Sequence, residues 1–277
     1  MKSLTSVSRV LWFASLVVSL TLTPILFARA SPWASADRVK PFAPSPCTAG
    51  QEAPAATGGS VTVNITCDND FALYAGDCCS VTQAGFIGSN SCSTNMCIRD
   101  GKTFTISGLT GSSYIYVVAW SDAAVGQGLL ASIQGTSNMV LTGDSRWQVF
   151  PTNSTASSPS NLSYSAACTF ANKAGVPFAP GSKKFTKCVN MELSQACSNN
   201  FWTTPSVGGT GASGNLVPSG SGNPLEPPPD LTPLLPASWI WYQDNKSACA
   251  GPDSPFSPGC NHDEFLIFRV PASYALP

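Results

Sequence analysis

The chain reads as an all-β protein: an antiparallel β-sandwich of jelly-roll type with a disulfide-rich insertion and a Pro/Gly/Ser-rich connector. Three observations predict this. Residues 60–152 break into short runs rich in β-branched and aromatic residues, separated by Gly, Ser, Asn and Asp turns. Helical periodicity is almost absent from that stretch. The same strand texture returns over 237–277, after a long interval that cannot build a core of its own.

VTVNITC comes first, with Val61, Val63, Ile65 and Cys67 alternating against Thr62, Asn64 and Thr66, the period of a strand with one buried face. Asn64 is expected on the outward face. FALY, KTFTISGL, SYIYVVAW, LLASIQG, NMVL and RWQVF follow at spacings that suit two packed antiparallel sheets. Residues 153–204 form a cysteine-containing insertion, in which VNMELSQAC predicts one short helix clamped by disulfides. Residues 205–236 are Gly/Ser-rich and then Pro-rich, which predicts an extended or mobile connector. In the last stretch Trp239 and Trp241 alternate with Ile240, and Phe265, Ile267 and Arg269 with Leu266 and Phe268.

The N-terminal region predicts export. Lys2 and Arg9 precede an apolar run from Val10 to Phe27, and Ala28-Arg29-Ala30 offers small residues at cleavage spacing, so residues 1–30 read as a secretory signal peptide and 31–59 as an extension. Ala34-Ser35-Ala36 offers a second cleavage site. Removal of the signal leaves roughly 250 residues, enough to bury a sizeable core. No later run is apolar enough to span a bilayer, so no membrane span is expected after cleavage.

Eleven cysteines with no C-x-x-C pair fit oxidised pairing better than zinc binding. The disulfide candidates are Cys47, Cys67, Cys78, Cys79, Cys92, Cys97, Cys168, Cys188, Cys197, Cys249 and Cys260. An odd number leaves one thiol unpaired or joined to another chain. Adjacent Cys78 and Cys79 most simply take different partners, and Cys249 with Cys260 brackets a Pro/Gly loop between the terminal strands. Sequons at Asn64, Asn153, Asn161 and Asn245 predict glycosylation. With 14 basic and 15 acidic residues nearly cancelling, no basic stripe is present to follow a phosphate backbone, and nucleic acid is not expected as a partner.

Asp68, Asn69, Phe71, Leu73, Tyr74 and Gly76, followed by Gly128, Leu129, Leu130, Asp144 and Trp147, resemble the pattern of galactose-binding-like jelly rolls, similar to the carbohydrate-binding modules beside bacterial α-L-rhamnosidases. The likeness spans roughly 90 residues, and each motif alone is common in β-sandwiches. It implies a jelly-roll fold and carbohydrate recognition. In that family a Trp-Ile-Trp stretch and a Phe-Arg strand come before the Asp-Asn strand, whereas here Trp239 and Phe265 open the corresponding stretches at the end. Two expectations follow: a permuted domain closed within one molecule by the connector, or terminal strands given to a second domain or another subunit.

Catalytic chemistry finds little support. His262 is the only histidine, no G-x-S-x-G elbow occurs, and Gly143-Asp144-Ser145 reads as a turn because Gly259 stands where a GDS-type esterase needs Asp before its His. The acid pairs Asp68 with Asp70 and Asp263 with Glu264 lack an opposing partner for glycoside hydrolysis. Asp68 and Asp70, beside Asn69 and with Asp77 or Asp122 nearby, are the candidate calcium ligands, against the plainer reading of an Asx turn. Sugar rings stack their C–H faces on aromatic side chains while Asp and Asn bond the hydroxyls, so Asp68, Asn69, Tyr74, Trp120, Asp122 and Trp147 are the ligand-binding candidates, with Trp202 and Trp241 as further aromatics. Trp120 with Asp122 heads that set. The expected function is a secreted, non-catalytic glycoprotein binding glycans or extracellular matrix proteins at the cell surface or in the matrix. The alternatives are a structural subunit of a matrix or fibre, self-associating through its C-terminal strands or spare cysteine, and a glycoside or ester hydrolase.

Overall fold

Val61, Val63, Ile65 and Cys67 are all buried on one side of the first strand, as their alternation predicts, but Asn64 and Thr66 on its other side are buried as well. The computed structural model describes residues 58–68, 70–90, 101–121, 126–152, 179–211, 232–243, 255–256 and 265–277. The predicted signal peptide, the extension up to residue 57, Asn153, Asn161, Asn245, His262, Asp263, Glu264 and six of the cysteines, Cys47, Cys92, Cys97, Cys168, Cys249 and Cys260, lie outside the described residues.

The described elements are β1 (Gly59–Asp68), β2 (Asp70–Asp77), β3 (Ser80–Ser89), β4 (Lys102–Leu109), β5 (Tyr114–Trp120), β6 (Gly128–Gln134), β7 (Met139–Leu141), β8 (Gln148–Pro151), α1 (Lys183–Ser198), β9 (Ser206–Thr210), β10 (Ser238–Trp241) and β11 (Leu266–Pro271). One sheet has the order β4-β1-β6-β10-β9, with β7 also paired to β6, and the other has the order β3-β2-β5-β11-β8. Every strand pairing is antiparallel. The chain passes repeatedly from one sheet to the other, a sandwich compatible with a jelly roll.

The C-terminal strands close this same molecule. Ile240 of β10 stands opposite Leu129 of β6, and β11 is inserted between β5 and β8, with Phe268 opposite both Val117 and Val149. All described residues fall in one compact unit, Ala43–Pro277. Between the sheets Phe71, Leu73, Ile115, Val117, Leu129, Ile133, Trp147, Trp239, Trp241, Leu266 and Phe268 join the β1 residues in a single apolar cluster. Each large side chain of this kind contributes about 1.5–3 kcal/mol by leaving water.

The helix is longer than the segment that predicted it, because the turn before it supplies a cap. The Ser182 hydroxyl accepts from the Phe185 amide at 3.2 Å. At the other end Asn200 takes φ +52°, a left-handed conformation that Asn tolerates, and the Phe201 amide donates to the Ala196 carbonyl at 2.9 Å. Phe185, Val189, Leu193 and Ala196 then pack on the outer face of the second sheet against Ala72, Tyr74, Tyr116, Val118, Phe150, Phe265 and Ile267. That sheet is therefore buried on both faces.

Several expectations are revised. Asn64 is buried rather than outward and free: β1 runs between β4 and β6, and the Asn64 amide bridges them, donating to the Ser132 hydroxyl at 3.2 Å and accepting from Thr103 at 2.9 Å. The nitrogen a glycan would occupy is buried and donates within the sheet, against the outward placement that the alternation predicted. The connector is partly ordered. Its start forms the edge strand β9 on β10, and the 3-10 turn Thr232–Leu234 drops Leu234 into the core beside Leu130, while residues 212–231 lie outside the described residues. The Gly143-Asp144-Ser145 turn is as predicted. Gly143 has φ +94°, and a Cβ there would come within 2.8 Å of the Ser238 side chain, so only glycine fits.

Candidate functional site

The strand ends bring some of the predicted residues to one end of the sandwich. Asp70 pairs with Trp120 across β2 and β5, and Asp68 closes β1 opposite Gly128. Asn69 and Asp122 lie outside the described residues. Trp120 is half-buried on the helix-bearing face, its ring centroid 6.3 Å from that of Phe265, and its indole N–H is buried with no hydrogen-bond acceptor. It serves as packing at the margin of the helix layer, with only part of the ring open to solvent. Among the described residues no three His, Cys, Asp or Glu side chains gather as a metal cluster. Burial, with the adjacent charges of Asp68 and Asp70 adding to it, pushes the Cys67 thiol well above its ordinary range.

Tyr74 and Trp147 are corrected from ligand candidates to core residues. Tyr74 is fully buried under the helix, its hydroxyl 3.3 Å from the Thr186 hydroxyl and accepting from the Gly181 amide at 3.2 Å. Burial raises its phenol, the two hydrogen bonds opposing. Trp147 lies between the sheets with its indole N–H donated to the Leu141 carbonyl at 2.9 Å. Trp241 is equally enclosed, 5.8 Å from Phe268 between ring centroids. Aromatic strand residues pack before they bind, and here both faces of one sheet needed filling.

The cysteines also sort themselves. Cys79 is bonded to Cys197 across 118 residues, and Cys78 and Cys188 are disulfide-bonded as well, so the adjacent pair does take different partners. Cys67 is corrected from a disulfide candidate to a free, buried thiol. Its side chain lies in the apolar cluster between the sheets, where it packs as a small hydrophobe.

Beside the Cys79–Cys197 bridge sits a second anchor that sequence reasoning missed. Arg269 is buried on the helix side of β11, donating from Nε to Gln148 at 2.8 Å and from Nη1 to the Cys78 carbonyl at 2.8 Å. Its guanidinium lies 3.8 Å from the Trp202 ring centroid and 5.0 Å from that of Tyr114. The Tyr116 hydroxyl donates toward the same carbonyl at 2.6 Å, and burial holds that phenol far above its usual range against the pull of Arg269. Burial likewise lowers Arg269. Trp202 is thus occupied internally.

An open, shallow groove lies elsewhere, between α1 and the edge strand β3. A groove of about 780 Å³ is lined by Val81, Thr82, Gln83, Lys183, Thr186, Lys187, Asn190, Met191 and Ser194. Its floor is fixed by Asn190, whose amide accepts from the Val81 N–H at 2.7 Å and donates to the Val81 carbonyl at 2.7 Å, so a side chain completes the open edge of β3 as a neighbouring strand would. Thr82, Gln83, Lys183, Lys187, Met191 and Ser194 are exposed around it. The helix opens with Lys183 and Lys184 and has no acid in its first turn, against the preference of its dipole by about 0.3–1 kcal/mol per charge. Among the described residues Lys183, Lys184 and Lys187 form no ion pair. Ammonium, hydroxyl and amide groups around a mostly apolar surface can hold a ligand with both apolar faces and polar groups, such as a sugar; nothing in the groove offers a nucleophile paired with a base. The signal that could have found it is KKFTK, cations spaced four apart on one helix face.

No family model, no curated protein and no solved structure matches the chain.

Proposed function

We propose that this chain is a secreted, disulfide-reinforced glycoprotein whose sandwich acts as a non-catalytic module, binding glycans or extracellular matrix partners at the cell surface or in the matrix. The observation that carries this reading is the pairing of a two-sheet scaffold with an open groove between α1 and β3, where exposed Lys183, Lys187, Thr82, Gln83 and Ser194 surround a mostly apolar surface that offers no nucleophile paired with a base. The galactose-binding-like likeness supports the same reading through motif positions alone, since its aromatic positions Tyr74 and Trp147 are spent on packing. Asn153, Asn161 and Asn245 are the proposed glycan carriers. Calcium at Asp68 and Asp70 stays part of the proposal as a strand-end ligand.

Binding is favoured over fibre assembly by how the features that suggested assembly are used. The free thiol Cys67 is buried, and the terminal strands β10 and β11 pair within the chain. The oxidised protein recovered from culture medium tests the proposal on an array of glycans and matrix proteins, run beside a glycoside and ester panel. Saturable retention without turnover is the expected result. Turnover of any panel substrate, or retention by none of the array, would contradict it.

A further inference from the structure

We infer that the groove between α1 and β3 takes a polyanionic glycan, a chain bearing carboxylate or sulfate groups, with Lys183 and Lys187 as its charge contacts; this rests on the binding-module reading above. The two lysines stand four apart, about one helical turn, so both lie on the helix face that lines the groove. Neither makes an ion pair among the described residues, and both are exposed. Opposite them Thr82 and Gln83 on β3, and Ser194 further along the helix, supply the hydroxyl and amide groups that bond sugar hydroxyls, and exposed Met191 supplies a soft apolar contact for a ring face. Charge complementarity therefore selects anionic over neutral sugar.

The same geometry argues against a peptide. An extended peptide gains its affinity by adding a strand to a free sheet edge, and Asn190 already occupies the Val81 N–H and carbonyl on that edge. A membrane surface fits poorly too, because Met191 is the one exposed large apolar side chain lining the groove.

The test uses full-length secreted protein on immobilised heparin, polyuronate and uncharged dextran, with Lys183→Gln/Lys187→Gln beside Lys102→Gln, which removes a cation from β4 in the other sheet, outside the groove lining. Retention on the anionic supports should fall by on the order of tenfold or more in the double variant, and weaken with salt in the unsubstituted protein, while Lys102→Gln behaves as unsubstituted. Equal loss in Lys102→Gln, or no loss in the double variant, would overturn the assignment. Retention on dextran alone would overturn it while leaving the binding-module reading standing, and retention on no glycan or matrix protein would remove both. Binding to anionic phospholipid vesicles or to polyglutamate as strong as to heparin would show charge attraction without a glycan site and overturn it as well. Thermal unfolding of the double variant should match the unsubstituted protein, since both side chains are exposed.

Discussion

The two faces of the β3-β2-β5-β11-β8 sheet are buried by different means. The inner face meets the other sheet through one large apolar cluster, with Phe71, Leu73, Val117, Leu266 and Phe268 among its members. The outer face meets a helix from a distant part of the chain, and there apolar contact is supplemented by a disulfide, a buried arginine between aromatic rings and an asparagine that completes a strand edge. A sheet packing on a sheet is specified by shape and period. A lone helix on a sheet has a single stripe with which to hold its place, and the added bonds fix its position.

If that contrast is right, cutting the covalent anchor should act mainly on the helix layer. Cys79→Ala/Cys197→Ala releases a cross-link spanning 118 residues, which loop-closure entropy values at about 4–5 kcal/mol. Urea titration should show that loss, with helical circular dichroism lost ahead of the β signal. Trp147→Ala attacks the other face. It empties a large volume between the sheets and should cost about 3–5 kcal/mol in one cooperative transition, with helix and sheet signals falling together. Coincident loss in both variants would erase the distinction between the faces.

Smaller changes sharpen it. Arg269→Met keeps much of the volume but removes the bonds to Gln148 and Cys78. Because the Tyr116 hydroxyl still serves the Cys78 carbonyl, the expected loss is about 2–3 kcal/mol, read from the urea midpoint. Asn190→Ala reopens the edge of β3 for about 1–2 kcal/mol, and hydrogen exchange at the Val81 amide should quicken with little change elsewhere. The weakest effect belongs to Asp144. Burial pushes its carboxyl up, but the hydrogen bonds and charge of Arg146, 2.6 Å away, outweigh this and leave it lowered. A carboxyl lowered in the folded state adds stability above its unfolded value, about 3.9, and that share is lost as pH falls through the folded value. Asp144→Asn should therefore flatten the acid limb of stability below about pH 4 by less than about 1 kcal/mol, the scale of a part-exposed pair.

The inner face was legible in sequence because strand period and face burial are the same statement: Val61, Val63, Ile65 and Cys67, or Leu266 and Phe268, need only their neighbours' polarity to be placed. β3 and β9 were not legible. SVTQAGFIGS and SVGGT are edge strands whose residues are mostly part-exposed, so no alternation marks them. The helix was visible only in its C-terminal half, since Lys183, Lys184 and Lys187 gave no apolar stripe. The predicted site failed where it relied on aromatics. Tyr74 and Trp147 have the composition of a sugar-stacking surface, yet sequence cannot say that a helix more than a hundred residues away covers one and that the opposite sheet covers the other. The groove needed the same long-range contact to exist at all.

Sulfur chemistry offers the most direct test, because the pairing depends on every layer being where it is described. Protein purified without reductant would be denatured without reduction, alkylated, digested and mapped by peptide mass spectrometry. A Cys79–Cys197 linked peptide and an alkyl group on Cys67, unreactive before denaturation because its thiol is buried and raised, is the predicted outcome. Cys67 found in a disulfide, or Cys79 joined to any other cysteine, would contradict the layered sandwich itself.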